Sequence, residues 1–202
     1  MNITTAHFHI YQSAPPAFST DTMAAMDRAM QDIDRGETPA TPSAATDTPP
    51  VQPGEYWPSQ GGHYVCTLPA MPGLPTRHLI VGAAENGKVE WGPRDNEAQS
   101  AKSQIDGRAN TAALLAAGDH PAAQWASKFT ADGHNDFHLP SRFELFMCWL
   151  CTPQLFSKDG WYWSSSQASR YYAWCQDFEY GGSNSHAKDN ELRARPVRWI
   201  QL

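Results

Sequence analysis

Between Trp161 and Gly182 the chain reads WYWSSSQASRYYAWCQDFEYGG, placing three Trp, four Tyr and one Phe within twenty-two residues. A stable fold has to bury most of such rings, because each carries a large apolar area. Trp161 and Trp163 alternate with Tyr162, and Tyr172, Trp174, Gln176, Phe178 and Tyr180 recur at every second position. That is the period of an extended strand, whose side chains alternate between two faces. The stretch predicts antiparallel strands with Trp161, Trp163, Trp174 and Phe178 packed inward, and burying each ring stabilises a fold by about 1.5–3 kcal/mol. Between and after these strands the small polar residues predict two loops, Gln167 to Tyr171 (QASRY) and Ser183 to Asn190 (SNSHAKDN).

From Glu37 to Pro53 the composition changes to ETPATPSAATDTPPVQP, with five prolines and no aromatic residue. Such a segment cannot bury enough apolar surface to fold alone and is predicted to be a semi-extended linker. It divides the 202 residues into an N-terminal arm, residues 1–36, and a domain over residues 54–202. In the arm, Phe8 and Ile10 alternate with His7 and His9 as in a short strand, and Thr20 or Asp21 can cap a helix that ends near Gly36. Met23, Met26, Met30 and Ile33 recur along that helix at coiled-coil spacing. Two heptads need a partner, which predicts self-association, docking on another protein, or packing on the chain's own domain.

The domain opens with strand-like runs at 56–68, 77–83 and 88–91, separated by Pro and Gly turns. An alanine-rich helix is expected from Gly107 to Gly118, with Asn110 or Thr111 near its start, and another from Pro121 to Phe129 with Asp119 as its cap and Trp125 turned inward. Ser141 and Glu144 form a Ser-x-x-Glu capping box at the start of a helix running to Leu150. One last strand is expected over 192–200, with Pro196 marking an edge or bulge. Strands, then helices, then an antiparallel meander make an α+β domain.

The net charge of -6 argues against broad electrostatic binding of nucleic acid, and no apolar run reaches the roughly 20 residues of a membrane span. The start MNITTAHFHIYQ has neither the basic flank nor the apolar core of a signal peptide, so synthesis in the cytoplasm is expected. Cys66, Cys148, Cys151 and Cys175 are too few and scattered for a disulfide framework and are predicted to be free thiols. The Cys148-x-x-Cys151 spacing falls on an apolar helix and reads as buried small residues rather than a redox or metal motif. His7 and His9 lack carboxylate or thiol neighbours, and Asp132 to Asp136 (DGHND) lacks calcium-loop spacing, so no metal and no cofactor are expected. GxSxG, HExxH and phosphate-cradling glycine motifs are absent, and no catalytic role is expected.

Three runs together carry a family likeness: DGHNDFHLPSRFEL at 132–145, WYWSSSQ at 161–167 with AWCQDFEYGG at 173–182, and RARPVR at 193–198. In this order they resemble the C-terminal domain family of collagen-like adhesins, the Lcl domain of phage and prophage proteins, over about Trp57 to the C-terminus. The family's Trp-Arg-Leu-Pro-Thr run appears as Phe137, His138, Leu139, Pro140 and Ser141, its Tyr-Trp-Ser-Ser as Tyr162 to Ser165, and its final Val-Arg as Val197 and Arg198. The resemblance implies a C-type-lectin-like fold and reaches, more distantly, phage tropism-determining proteins. The Glu-Pro-Asn, Gln-Pro-Asn and Trp-Asn-Asp signatures of calcium-dependent sugar sites are missing, so calcium is not implied.

What the resemblance implies is a virion protein of the phage tail that binds a host-surface glycan or protein receptor, attaches to another tail or baseplate protein and forms a homo-oligomer. Arg170, Tyr171, Asn184, His186, Lys188 and Asn190 are the expected ligand contacts, because rings supply area and small polar groups adapt their hydrogen bonds. Arg193, Arg195 and Arg198 are expected in structural pairs, with Glu144 or Asp177 as partners. Two alternatives accompany this expectation: an accessory protein of tail assembly, and an enzyme on a scaffold like that of the formylglycine-generating enzymes.

Overall fold

The computed structural model describes residues 48–50 and 52–202. The chain divides between Ala44 and Ala45, and the predicted arm, its Met23, Met26, Met30 and Ile33 stripe and most of the linker lie outside the described residues. Nine strands and three helices follow: β1 Tyr56–Trp57, β2 Gly62–Leu68, β3 Arg77–Gly82, β4 Asn86–Glu90, α1 Gly107–Ala117, α2 Pro121–Lys128, α3 Arg142–Cys151, a 3-10 turn Pro153–Leu155, β5 Trp161–Gln167, β6 Tyr172–Asp177, β7 Ser183–Ala187, β8 Glu191–Ala194 and β9 Val197–Gln201. The strands form a four-stranded sheet in the order β1-β2-β3-β9 and a five-stranded sheet in the order β4-β8-β5-β6-β7. The domain is therefore α+β, as its element order predicts. Among the described residues no helix is long and apolar enough to cross a membrane.

Strand β5 organises the interior. Every residue from Tyr162 to Gln167 is buried, so the strand is covered on both faces. Trp163 enters one apolar cluster with Trp91, Leu114, Leu139 and Cys175, while Tyr162 enters a second with Phe156, Phe178, Leu79 and Leu145. Phe156 stacks on Phe178 at 3.9 Å between ring centres, and Tyr162 meets both edge-on at 5.0 Å. The indole N–H of Trp163 donates to the Val89 carbonyl at 2.9 Å, and that of Trp91 donates to Ser164 at 2.8 Å, so neither ring leaves a polar group unsatisfied.

Helix α3 begins where the sequence places it. The Ser141 hydroxyl accepts from the Glu144 N–H at 3.2 Å, and Glu144 Oε2 accepts from the Ser141 N–H at 2.8 Å. The box also reaches further than its local pattern implies: the same carboxylate oxygen accepts from the Gly107 N–H at 3.2 Å, joining the first turns of α1 and α3. His138 Nε2 lies 3.6 Å from it, and both side chains are buried. At Gly181, with φ 78°, a side chain would collide with the Trp149 indole, which rests directly on that backbone.

Several expected boundaries are corrected. The single strand over 192–200 is two strands, broken at Arg195 and Pro196, with β8 in one sheet and β9 in the other. Proline cannot donate to a ladder, so the chain changes sheet there. The meander is not wholly antiparallel, because β8 joins β5 through a parallel pair, Tyr162 opposite Arg193. The expected loop at 183–190 is mostly strand β7, and the first loop is confined to 168–171, with Gln167 buried at the end of β5. His120 rather than Asp119 occupies the position before α2 and makes no side-chain cap, while Asp106 caps α1 by accepting from the Ala109 N–H.

Glu144 supplies a test of this framework. Burial pushes its carboxyl pKa up, but His138 and the bonds from Ser141 outweigh burial and hold it below the usual carboxylate range. A depressed folded value contributes stability at neutral pH that is lost as pH falls through it. Glu144→Ala strands two buried N–H donors and should cost about 3 kcal/mol in urea unfolding at pH 7, since each such donor costs about 1–3 kcal/mol. Its deficit relative to wild type should shrink below pH 4; an equal deficit at both pH values would show that the carboxylate charge plays no part.

Candidate functional site

At the start of β5, Trp161 is half-buried: it packs against the Trp163 cluster and also lines a surface cleft of about 250 Å³. His186, from β7, lies 5.1 Å from its ring centre and tilted by 37°, and the far edge of the indole approaches Gly182, so the ring runs towards β7. The cleft walls come from β4, from the turn before β5 and from β8, and Gly87 and Gly160 keep them low by contributing no side chain. Lys88, Asp159, Glu191 and Arg193 stand around it, two groups of each sign.

Arg193 ties this rim to the frame. Its Nη1 donates to Glu85 at 2.8 Å and its Nη2 to Asp159 at 3.2 Å. Glu85 also accepts from the Tyr162 hydroxyl at 2.5 Å, so the rim is joined to the buried start of β5. A hydrogen bond from Ser157, with further help from Arg193, holds the Asp159 carboxyl below its ordinary range, and it stays ionised near neutrality. The arrangement is a shallow polar cleft in which Arg193 and Asp159 are held by each other and Lys88 and Glu191 are exposed, a surface suited to a polar ligand.

The six expected ligand contacts do not converge on one place. His186 braces Trp161, and Asn184 lies on the same strand opposite Cys175. Both are in β7 rather than in a loop. Arg170 and Tyr171 are exposed in the hairpin that follows β5, at the end of the strand away from Trp161, where Arg170 pairs with Asp95 at 2.5 Å. Asn190 is exposed in the turn before β8 and donates its N–H to Ala187.

Lys188 is corrected outright: it is wholly buried and has no surface to offer a ligand. Its Nζ donates to the Asn96 carbonyl at 2.6 Å and to Gln167 Oε1 at 2.7 Å, and lies 4.7 Å from the Trp91 ring centre. A polar run in the sequence concealed a side chain long enough to reach inward and satisfy itself on two carbonyl oxygens.

The expected aromatic framework residues are found on β5, on β6 and directly after β6. Trp163 and Phe178 are buried, whereas Trp174 is half-buried beneath the Arg142 guanidinium at 3.5 Å. The arginine group forms structural pairs, though with other partners than expected: Arg193 with Glu85 and Asp159, Arg198 with Asp136, and Arg195 chiefly with the Gly82, Ala83 and Leu155 carbonyls. The DGHND run is a tight turn in which Asp132, at φ 49°, accepts from the Tyr56 hydroxyl and the Gly61 N–H. All four cysteines are free thiols. Burial first, then the neighbouring Cys151, pushes Cys66 up to about 12, and Cys148 is raised likewise.

Trp161 packs as framework, and its position at the start of β5 also puts it beside the cleft. Lys88, Glu191 and Asp159 come from three separate segments and had no shared local pattern.

Lys188 yields a prediction of opposite kind to a contact residue. Burial lowers its pKa to about 8, below the unfolded value, so the unfolded chain holds the extra proton between those values and stability from this group rises with pH. Urea unfolding should show wild type gaining on Lys188→Met as pH rises from 7.5 to 9.5; a constant difference would mean that the ammonium titrates as it does in water. Compared with known proteins, the chain matches no protein-family model and no curated protein sequence.

Proposed function

We propose that this chain is a non-catalytic recognition protein of a phage or prophage tail, whose lectin-like domain binds a glycan or protein on the host surface. The observation that carries the reading is the cleft at the start of β5: Arg193, fixed on Glu85 and Asp159, sets its rim, and Lys88 and Glu191 stand exposed around it. A rim held by the fold favours binding, because little side-chain freedom is lost there when the ligand arrives. The α+β layout of two sheets and three helices is compatible with the lectin-like family that the sequence resembles, and the resemblance supplies the phage context. On this reading the protein resides in the virion, and the Met23 to Ile33 stripe of the arm assembles copies or docks them on the tail.

An enzyme of the formylglycine-generating type is disfavoured by its thiols. Such chemistry needs an accessible thiolate, and Cys148 is fully buried with its proton held tightly.

A second reading, an accessory protein that binds another virion component, is favoured by helix α3. Phe146 and Leu150 are 39% and 57% exposed, and clefts of about 400 and 420 Å³ flank them. Exposed apolar area gathered on one helix is a usual mark of a protein contact.

Capture of host envelopes by the purified full-length protein separates the two. Under the recognition reading Lys88→Ala and Glu191→Gln each weaken capture by about tenfold, the effect of losing one anchoring contact worth about 1.4 kcal/mol, while Leu150→Ser leaves it intact. Loss of capture only with Leu150→Ser, together with retention of a virion protein on wild type, would transfer the function to the accessory reading.

A further inference from the structure

Helix α3 presents a face that the domain leaves uncovered. Phe146 and Leu150, one turn apart, are 39% and 57% exposed, and Trp149 packs on Phe146 at 5.7 Å between ring centres. Apolar area gathered this way marks a contact surface, and the groups at its two ends identify what covers it.

At the N-terminal end is a cleft of about 400 Å³ walled by Ile105, Phe143 and Phe146, in which Arg142 is the one charged group. Its guanidinium lies over the Trp174 ring at 3.5 Å from the centre, and its Nε donates to Ser183 at 3.1 Å. Stacking covers one face of a guanidinium and leaves its edge, where the donors are, open. Among the described residues no carboxylate pairs with Arg142 and its Nη groups have no acceptor. What fits is a carboxylate carried beside an apolar group.

The same surface carries that pair at its other end. Glu179 and Tyr180 are exposed in the turn between β6 and β7, and Tyr180 is 81% exposed. The turn is held in shape: Asp177 accepts from both of their N–H groups at 2.9 and 3.1 Å, Phe178 is buried before them, and Gly181 lies against Trp149 after them. Glu179 lines the second cleft with Trp149 and Leu150, near the C-terminal end of the helix. Trp149 stands about 10 Å along the helix from Arg142, and within one chain Glu179 and Arg142 form no ion pair.

A surface with a cleft at one end and its complement at the other is satisfied by a copy of itself turned end for end. Two α3 helices laid antiparallel oppose their Phe146 and Leu150 side chains, and each Arg142 then faces the Glu179 and Tyr180 of the other copy. Both contacts form together by symmetry, so the assembly closes as a pair.

We infer that helix α3 is a self-association surface on which Glu179 and Tyr180 of one copy enter the Arg142–Phe146 cleft of another. The inference rests on the reading of α3 as a contact surface and names the occupant as a second copy of this chain in place of another virion component. One helix face makes a small interface, and small interfaces are weak, so the pair forms where copies are concentrated, as on a virion, and not in the dilute protein of an envelope-capture assay.

The test follows the Arg142 Nε–H and the Tyr180 backbone N–H of the full-length protein by NMR across a dilution series. Both resonances should shift together as concentration rises, with one dissociation constant. Glu179→Arg and Arg142→Glu should each weaken the association about tenfold or more, because like charges then face each other at both contacts. Mixed in equal amounts, the two variants should associate at least as well as wild type, since one copy then offers two cations where the other offers two carboxylates. Tyr180→Ser, an exposed change that leaves the core untouched, should also weaken the association, so the test stands even if Arg142→Glu does not fold. Three outcomes overturn the inference: neither resonance depends on concentration, Glu179→Arg and Tyr180→Ser associate as wild type does, or the folded charge variants gain nothing on mixing. If the protein stays unpaired yet retains a virion component through α3, self-association falls and the contact reading stands. If it pairs and retains no virion component, the inference stands and the accessory reading falls.

Discussion

The structure depends on burial of one strand from both sides. In β5 successive side chains enter opposite clusters, so Trp163 and Tyr162 each seal a different half of the domain with one backbone between them. An antiparallel strand usually keeps one wet face. Here the dry second face requires small residues wherever loops and helices lie directly on the strand, and Ser164, Ser165 and Ser166 meet that need. Each hydroxyl or N–H finds a backbone partner: Ser164 Oγ donates to Trp174 at 2.8 Å, Ser166 Oγ to Ser103 at 2.7 Å, and the Ser165 N–H to Pro140 at 2.7 Å. The serines thus bind the surrounding loops to the strand, which makes them structural rather than solvent-facing.

The cleft inherits its stiffness from that strand. Trp161 is the residue before the doubly buried run, and the cleft rim is anchored through Arg193, Glu85 and the Tyr162 hydroxyl to the buried run itself. The same Glu85 carboxylate faces Arg195, whose guanidinium holds the Gly82 and Ala83 carbonyls at the end of β3. One chain of charge-assisted bonds therefore connects the end of the first sheet, the middle of the second and the edge of the cleft. Folding therefore sets the orientation of Arg193 and Asp159 at the cleft edge.

How much of this was legible in the sequence follows from how local each signal is. The Ser141–Glu144 box and helix α3, the extended runs of β5 and β6, the free cysteines and the α+β order all rest on residues a few positions apart, and the structure bears them out. What the sequence concealed depends on partners far along the chain. Lys188 looked like a loop cation because nothing nearby announces Asn96 and Gln167 as its acceptors. Strand β7 looked like a loop because its alternation of Ser, Asn and His carries no apolar signal, and its place is set by pairing with β6. The break at Arg195 and Pro196 was marked by the proline, yet the change of sheet could be known only from the partners of β8 and β9. The cleft rim was hidden for the same reason, being assembled from β4, β8 and the turn before β5.

Native-state hydrogen exchange tests the central claim most directly, since it reads the opening free energy of each amide. If β5 is the doubly buried keel of the domain, the hydrogen-bonded amides of Tyr162 to Gln167 exchange only with global unfolding and share its denaturant dependence, while the edge strand β7 and the hairpin at 168–171 open at far lower cost. Exchange of the β5 amides as fast as those of β7, with little denaturant dependence, would contradict the account, because a strand that opens locally cannot hold the cleft rim in a preformed site.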